Sequence, residues 1–533
     1  VINLMKSPVI LLERSEIVLN EIEVYPDNSF LYDIVTNCRK NLMKNKLQST
    51  SKVYFGLETE STLEAVNYPT RDTITIRKNN KELKPKLVEQ LECFYNAQIK
   101  GSQVTNLLYK NGRTALAADE NYFLSLNTSK AVSSIDLLKK QEYIPSIPLQ
   151  FNRKSLEKLF NIEMGSFDGV MYNLIFTPKI DSSSSFSGEI WIDADSFNLL
   201  KINLYARHTH KHPFIPIHPS LDDIEDVNLS FTFNFKLHNG ASLPDHLQFS
   251  YDMIYNSNRD SLVIIDQYKN VSRKISTEGI LYFYDYNEPF ILPIFDYVED
   301  VDDYYKMSFI PYNDVFWKQN KILVLTAQQK ENVKIIEDNG YLINYREGNF
   351  GSDFLKDLPG FNNSVFREFY YTFWSAKKRI IPNNTSEQFK TFPNDIINAN
   401  IRRNLYNLKA QLLLDINEID NGLICKSYTV FDNFYSYFHL PFDFSTNAIF
   451  NIFFDICEIE RRKMQAILDS KPHSLDEVLA IYNSTILEMN KVTKQFLEEI
   501  DLGENQMELK KWNQYVYEKL NINNIELINN TNR

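Results

Sequence analysis

The chain has 533 residues, 43% of them hydrophobic and 14% aromatic, with a formal net charge of -12. A prior of ~150 residues per domain predicts three or four units with sizeable cores, and no run of ~18 apolar residues exists to span a membrane as a helix. The longest basic cluster is Lys377-Lys378-Arg379, so an acidic chain of this kind is a poor partner for nucleic acid.

Residues 1–25 contain two short apolar strands without a core of their own and are expected to end a preceding β-sandwich and its linker. Pro26-Asp27-Asn28-Ser29 supplies turn and cap chemistry before Leu31, Ile34, Val35, Cys38 and Leu42, an apolar stripe at helical spacing. From Lys52 the period changes to two, most plainly at Leu91, Cys93, Tyr95, Ala97 and Ile99, and Asn111-Gly112 reads as a hairpin turn. The stretch Tyr172 to Leu204 packs three alternating strands: Tyr172, Leu174 and Phe176, then Ile190 and Ile192, then Leu200, Ile202 and Leu204. Leu229, Phe231, Phe233, Phe235 and Leu237 alternate with polar residues, Asn239-Gly240 turns the chain, and Leu247, Phe249 and Tyr251 return. One large antiparallel sheet over residues 52–285 follows from this pattern.

Residues 296–435 read as an aromatic connecting region, with FIPYNDVFW, FREFYYTFW, a helical segment at 328–339, and a hairpin from Leu412, Leu414 and Ile416 through Asp420-Asn421-Gly422 to Ile424, Tyr428 and Val430. Residues 436–533 turn helical, with a capping box at Ser474 and Glu477 and a third stripe at Leu509, Trp512, Val516 and Leu520. The expected fold is α+β: an antiparallel, curved sheet with covering helices in a module over 26–295, the connecting region, and a C-terminal helical region.

Chemistry-bearing patterns are few. Cys38, Cys93, Cys425 and Cys457 form no CxxC pair and read as buried free thiols, although spacing leaves a disulfide open. His208, His210 and His212 would share one face of a strand, with His218 and Asp222, Asp223, Glu225 and Asp226 close behind, an arrangement able to ligate zinc; Pro213, Pro216 and Pro219 favour solvated histidines and no bound metal. Asp296, Glu299, Asp300, Asp302 and Asp303 lack the glycine and spacing of a calcium loop and read as a solvated acidic loop. Asp455, Glu458, Glu460, Arg461 and Arg462 read as surface ion pairs on a helix. No HExxH, GxSxG, P-loop or GxGxxG motif occurs, so no catalytic residue and no cofactor is expected.

The link LNEIEVYPDNSFLYDIVTNCRKN, the segment LECFYNAQIKG, and YNLIFTPK with FSGEIWIDADSFNLLKINL resemble Bacteroidota envelope proteins of the carboxypeptidase-like regulatory domain-containing type, over residues 10 to about 300. The resemblance implies an exported β-sandwich followed by a β-rich module, without peptidase activity despite the name. Members often carry an outer-membrane barrel next, whereas the last hundred residues here are helical and lack ~10-residue amphipathic strands. FSGEIWID also resembles the hairpin of lipoprotein-carrier half-barrels. The expectation is a non-enzymatic cell-envelope protein associated with the outer membrane, an accessory subunit of an outer-membrane protein complex, its targeting signal upstream of Val1. One alternative is a periplasmic carrier with a lipid or other apolar ligand in a half-barrel; another is a metal-dependent hydrolase using the cluster His208, His210 and His212.

Overall fold

The computed structural model describes residues 28–67, 86–116, 128–180, 183–216, 222–238, 240–257, 270–297, 303–307, 309–322, 324–339, 341–343, 371–377, 379–380, 406–420, 422–433, 435–438 and 444–526. The expected sandwich end at 1–25 lies outside them. Helix α1 (Ser29–Lys44) forms where the apolar stripe has helical spacing, and Leu31, Ile34, Val35, Cys38 and Leu42 are all buried.

Ten long strands follow: β1 (Gln48–Asn67), β2 (Lys86–Lys100), β3 (Gln103–Leu116), β4 (Phe160–Phe167), β5 (Met171–Pro178), β6 (Ser187–Asp193), β7 (Leu199–Thr209), β8 (Asp223–His238), β9 (Ala241–Ser257) and β10 (Asn270–Tyr284). A short β11 (Tyr341–Ile343) completes one antiparallel sheet in the order β11-β3-β2-β1-β10-β9-β8-β7-β6-β5-β4. The chain runs outward from β1 to β3. It then crosses to the far edge through α2 (Thr128–Ser133) and α3 (Arg153–Leu159) and meanders back until β10 pairs with β1. Alternation places Val53, Phe55 and Leu57, the β2 series from Leu91 to Ile99, and Leu247, Phe249 and Tyr251 in the same core as the α1 stripe. Each such large side chain contributes about 1.5–3 kcal/mol on full burial.

Three details of register differ from the pattern. Asn111 and Gly112 are not a turn but lie inside β3, opposite Phe94 and Cys93, and the chain reverses instead at Gly101, whose φ is 63°. Gly112 is needed because a Cβ there would sit 2.9 Å from both Cys93 Sγ and the Tyr109 hydroxyl. Leu229, Phe231, Phe233 and Phe235 of β8 keep their alternation, the extra residue at the bulge there being Asp245 of β9, but Leu237 at the end of the strand is 49% exposed; a bulge at Leu200 of β7 buries Leu199 where Leu200 was expected.

The other face of the sheet is covered at one end. After α4 (Asp303–Met307), α5 (Asp314–Gln319) presses Phe316 and Trp317 against Tyr54 and Phe94, residues of opposite parity to the main core. Helix α6 (Ala327–Asn339) occupies the predicted segment.

Strand β12 (Tyr371–Phe373) and the hairpin of β14 (Ala410–Ile419) and β15 (Gly422–Asp432) make a three-stranded sheet; β13 (Tyr406–Asn407) pairs with β16 (Tyr437–Phe438). Helix α7 (Phe444–Ser470) packs on it, and α8 (Leu475–Ile500) and α9 (Gln506–Leu520) pack on α7, with the predicted capping box at Ser474 and Glu477 formed at the start of α8. β14 is buried on both faces: Leu412, Leu414 and Ile416 join the C-terminal core, while Leu413 joins the core of the large sheet. The expected boundary at 435/436 falls between this hairpin and helices that share its core.

Candidate functional site

Where α1 ends, a cleft of about 310 Å³ opens between the helix C-terminus, the β2-β3 turn, the segment 132–139 and the ends of β8, β9 and β10. Its wall is apolar: Leu42, Val104, Val132, Leu138, Phe235 and Phe283. Helical spacing explains how α1 contributes both to the core and to this wall, since Leu42 and Arg39 stand one turn apart on adjoining sides of the stripe. The Asp136 carboxylate accepts from the backbone N–H groups of Leu138 and Lys139 at 2.8 and 3.0 Å, fixing the bend that brings Leu138 and Lys139 to the opening.

The rim carries the opposite charge to the protein. Arg39, Lys46, Lys100 and Lys139 all line the cleft, and none makes an ion pair among the described residues. Arg39 Nε is shielded from solvent and has no hydrogen-bond partner among the described residues. Asp136, the carboxylate in the lining, already accepts its two backbone bonds. An apolar slot beneath cations that make no ion pair among the described residues, on a chain of net charge -12, suits an amphipathic anion. Periodicity revealed the α1 stripe but not this site, because the cations come from three separate segments, the end of α1, the β2-β3 turn and residues 132–139.

The sequence-expected candidates lie elsewhere. His208 has φ 49° within an irregularity between Ala206 and Thr209, so the strand alternation that would align the three imidazoles is broken. Its Nδ1 contacts an Asp226 carboxylate oxygen, whereas His212 stacks on Phe214 with ring centroids 6.1 Å apart. Burial holds the His212 imidazole below its ordinary pKa, against smaller upward pulls from a backbone hydrogen bond at Phe214 and from Asp223. His218 lies outside the described residues, and among those described no group of three or more His, Cys, Asp or Glu side chains converges as a metal site.

Glu299, Asp300 and Asp302 of the acidic stretch also lie outside the described residues. Asp303 is not solvated but fully buried, accepting from Ser129 N at 2.9 Å, Ser129 Oγ at 2.5 Å and Tyr95 Oη at 3.3 Å. It ties α2 and α4 to β2 within the core. The α7 carboxylates are likewise not a surface array. Asp455 is wholly buried between Arg379 at 2.6 Å, the Trp374 indole at 2.7 Å and Asn524 at 2.8 Å. Buried Glu458 accepts from Thr429, Arg461 and Arg462, which together outweigh burial and hold its carboxyl below the usual range. Both networks bind α7 to neighbouring elements. The thiols are free; Cys38, Cys93 and Cys457 are buried and Cys425 half-buried, and burial pushes all four pKa values up, that of Cys425 to about 11.

No family model and no curated protein matches this chain. Among solved structures, a Vibrio parahaemolyticus domain of the outer membrane lipoprotein-sorting kind is 14% identical, covering 52% of this chain and 96% of its own, at a TM-score of 0.17. A LolA superfamily protein from Nitrosomonas europaea is 11% identical over 51% of this chain and 97% of its own, at 0.16. MucB in its complex with MucA from Pseudomonas aeruginosa yields 8%, 46%, 93% and 0.15.

Proposed function

We propose that this chain is a non-enzymatic protein of the cell envelope that holds an amphipathic ligand, its apolar tail between α1 and the sheet and its anionic head at the rim. The observation that carries the reading is the cleft itself: an apolar wall closed by Leu42, Val104 and Phe235, capped by the shielded Nε of Arg39, which has no hydrogen-bond partner among the described residues. At about 310 Å³ the volume lies at the lower end of small-ligand sites. Placement in the envelope, with association at the outer membrane, rests on the resemblance of the segments around YNLIFTPK and FSGEIWID. None of the buried carboxylates, thiols or histidines described above combines a nucleophile with a base at an open cleft, which favours binding over catalysis.

Native mass spectrometry of the protein extracted gently from its membranes tests the reading. A co-purified lipid or fatty acid, displaced by an added fluorescent fatty acid, is expected. A ligand-free protein that also fails to bind the added fatty acid refutes it. Reading the chain as an assembly subunit draws on a separate feature, the β4-β5 hairpin tip. There Phe167 and Val170 are 49% and 68% exposed, and Phe167 stacks on Tyr172 at 4.6 Å.

A further inference from the structure

The face of the sheet remote from α1 carries a second, chemically opposite depression of about 700 Å³. It crosses five neighbouring strands, β8, β9, β10, β1 and β2, so it runs roughly 19 Å at ~4.8 Å per strand. Ser230, Thr232, Gln248 and Ser250 form its floor, the Tyr54 ring lies over Gly56 beside them, and Thr326 and Gln329 stand along one wall. No Lys, Arg or His is among its lining residues.

At its middle, Glu58 of β1 faces Glu278 of β10 in register. Like charges directly opposite one another destabilise a strand pair. Glu278 is exposed and has no hydrogen-bond or ionic partner among the described residues, and Glu58 receives only long contacts, 3.5 Å from Gln90 Nε2 and 3.4 Å from Asn332 Nδ2. Gln90 is 2% exposed and lines the same depression, and its Oε1 has no hydrogen-bond partner among the described residues. Turning the amide over does not solve this, because it would place Oε1 against the Glu58 carboxylate. A shielded carbonyl oxygen lacking a donor, beside two carboxylates in register, is a site short of donors and of positive charge.

From this geometry we infer that the groove binds an oligosaccharide bearing primary amino groups, with an ammonium between Glu58 and Glu278 and a ligand donor on Gln90 Oε1. Sugar hydroxyls match the Ser, Thr and Gln floor, which offers donors and acceptors together. An extended peptide fits less well, since the strands beneath have already paired their backbone groups and the face offers a peptide no ladder to join.

Titration calorimetry on the full chain tests this with a glucosamine tetramer, its fully N-acetylated counterpart, and calcium chloride. The free-amine tetramer is expected to bind at least tenfold more tightly than the acetylated one, and Glu278→Gln, at an exposed position, is expected to weaken it about tenfold or more, the range of a charged hydrogen bond. Equal affinity for the two tetramers, binding unaltered by Glu278→Gln, binding of calcium alone, or no binding at all would each overturn the inference. Because the fatty-acid cleft lies on the opposite face, displacement of lipid probe by neither tetramer is expected, and either site can fail without the other.

Discussion

The ammonium of Lys110 lies 2.9 Å from Oδ1 of Asp415, and the two side chains are 1% and 2% exposed. Lys110 stands on β3 of the large sheet and Asp415 on β14 of the small one, so the pair joins two sheets whose residues are separated by three hundred positions. The ammonium also donates to the Ile416 carbonyl at 2.9 Å, while Asp415 Oδ2 accepts from Asn313 and Asn417, each at 2.8 Å. Geometry this complete offsets the desolvation of both charges, and loss of one partner leaves the other stranded.

Lys110→Met is therefore expected to destabilise the protein by about 3–5 kcal/mol, and the double variant Lys110→Met with Asp415→Leu by less than that single change. Urea denaturation followed by tryptophan fluorescence measures both. A single variant within ~1 kcal/mol of wild type would mean that water reaches the site.

A second prediction concerns Gly112. An added methyl would meet Cys93 Sγ and the Tyr109 hydroxyl at 2.9 Å and the Glu92 carbonyl at 3.1 Å, and the last is backbone that cannot swing away. Gly112→Ala should cost about 1–3 kcal/mol from overpacking, with partial recovery when Cys93→Ala is added. Thermal unfolding of the two variants checks it; a neutral Gly112→Ala would show that β3 shifts freely against β2.

Much of the fold was legible because burial on one face writes a period into the sequence. The α1 stripe, the β2 series, the reversal between His238 and Ala241, and the Ser474 capping box each depend on neighbours along the chain. What was not legible depends on distant partners. Asn111-Gly112 has the composition of a turn, yet Asn111 accepts from the Trp317 indole at 3.0 Å and Gly112 makes room for Cys93. The carboxylates of α7 carry the signature of surface pairs because nothing local shows that β15 and Arg379 cover them. Site residues were harder still: Arg39, Lys46, Lys100 and Lys139 meet only through tertiary structure, and the histidine alternation failed at one residue of positive φ.

His212 gives a pH dependence with a defined sign. Burial holds its folded pKa below the usual value near 6.5, so below that pH the unfolded chain binds a proton that the folded protein resists. Stability should fall as pH drops through 6.5, and the loss should level off once the folded imidazole also protonates. His212→Phe keeps a ring against Phe214 and removes the proton, so the variant should show a flatter stability profile between pH 7.5 and 5 by urea denaturation. Parallel profiles for the two proteins would assign the acid sensitivity elsewhere.

The charge at the cleft supplies the sharpest separation between binding by apolar contact and binding by a headgroup. Arg39 is half-buried, its Nε is shielded and has no partner among the described residues, and Leu42 and Val104 lie beside it in the same lining. A carboxylate placed there gains a charge-assisted hydrogen bond of about 1.5–3 kcal/mol, whereas an ester of the same chain gains almost none. Arg39→Gln should thus weaken a fluorescent fatty acid by roughly tenfold or more while leaving its methyl ester unchanged. Val104→Trp, which fills the slot with bulk, should weaken both together. Fluorescence titration at two salt concentrations separates the cases, because the contribution of the exposed Lys46, Lys100 and Lys139 is screened by salt and that of shielded Arg39 much less. If Arg39→Gln weakened acid and ester alike, the guanidinium would be a packing element of α1, and the anionic head would have to bind elsewhere on the rim.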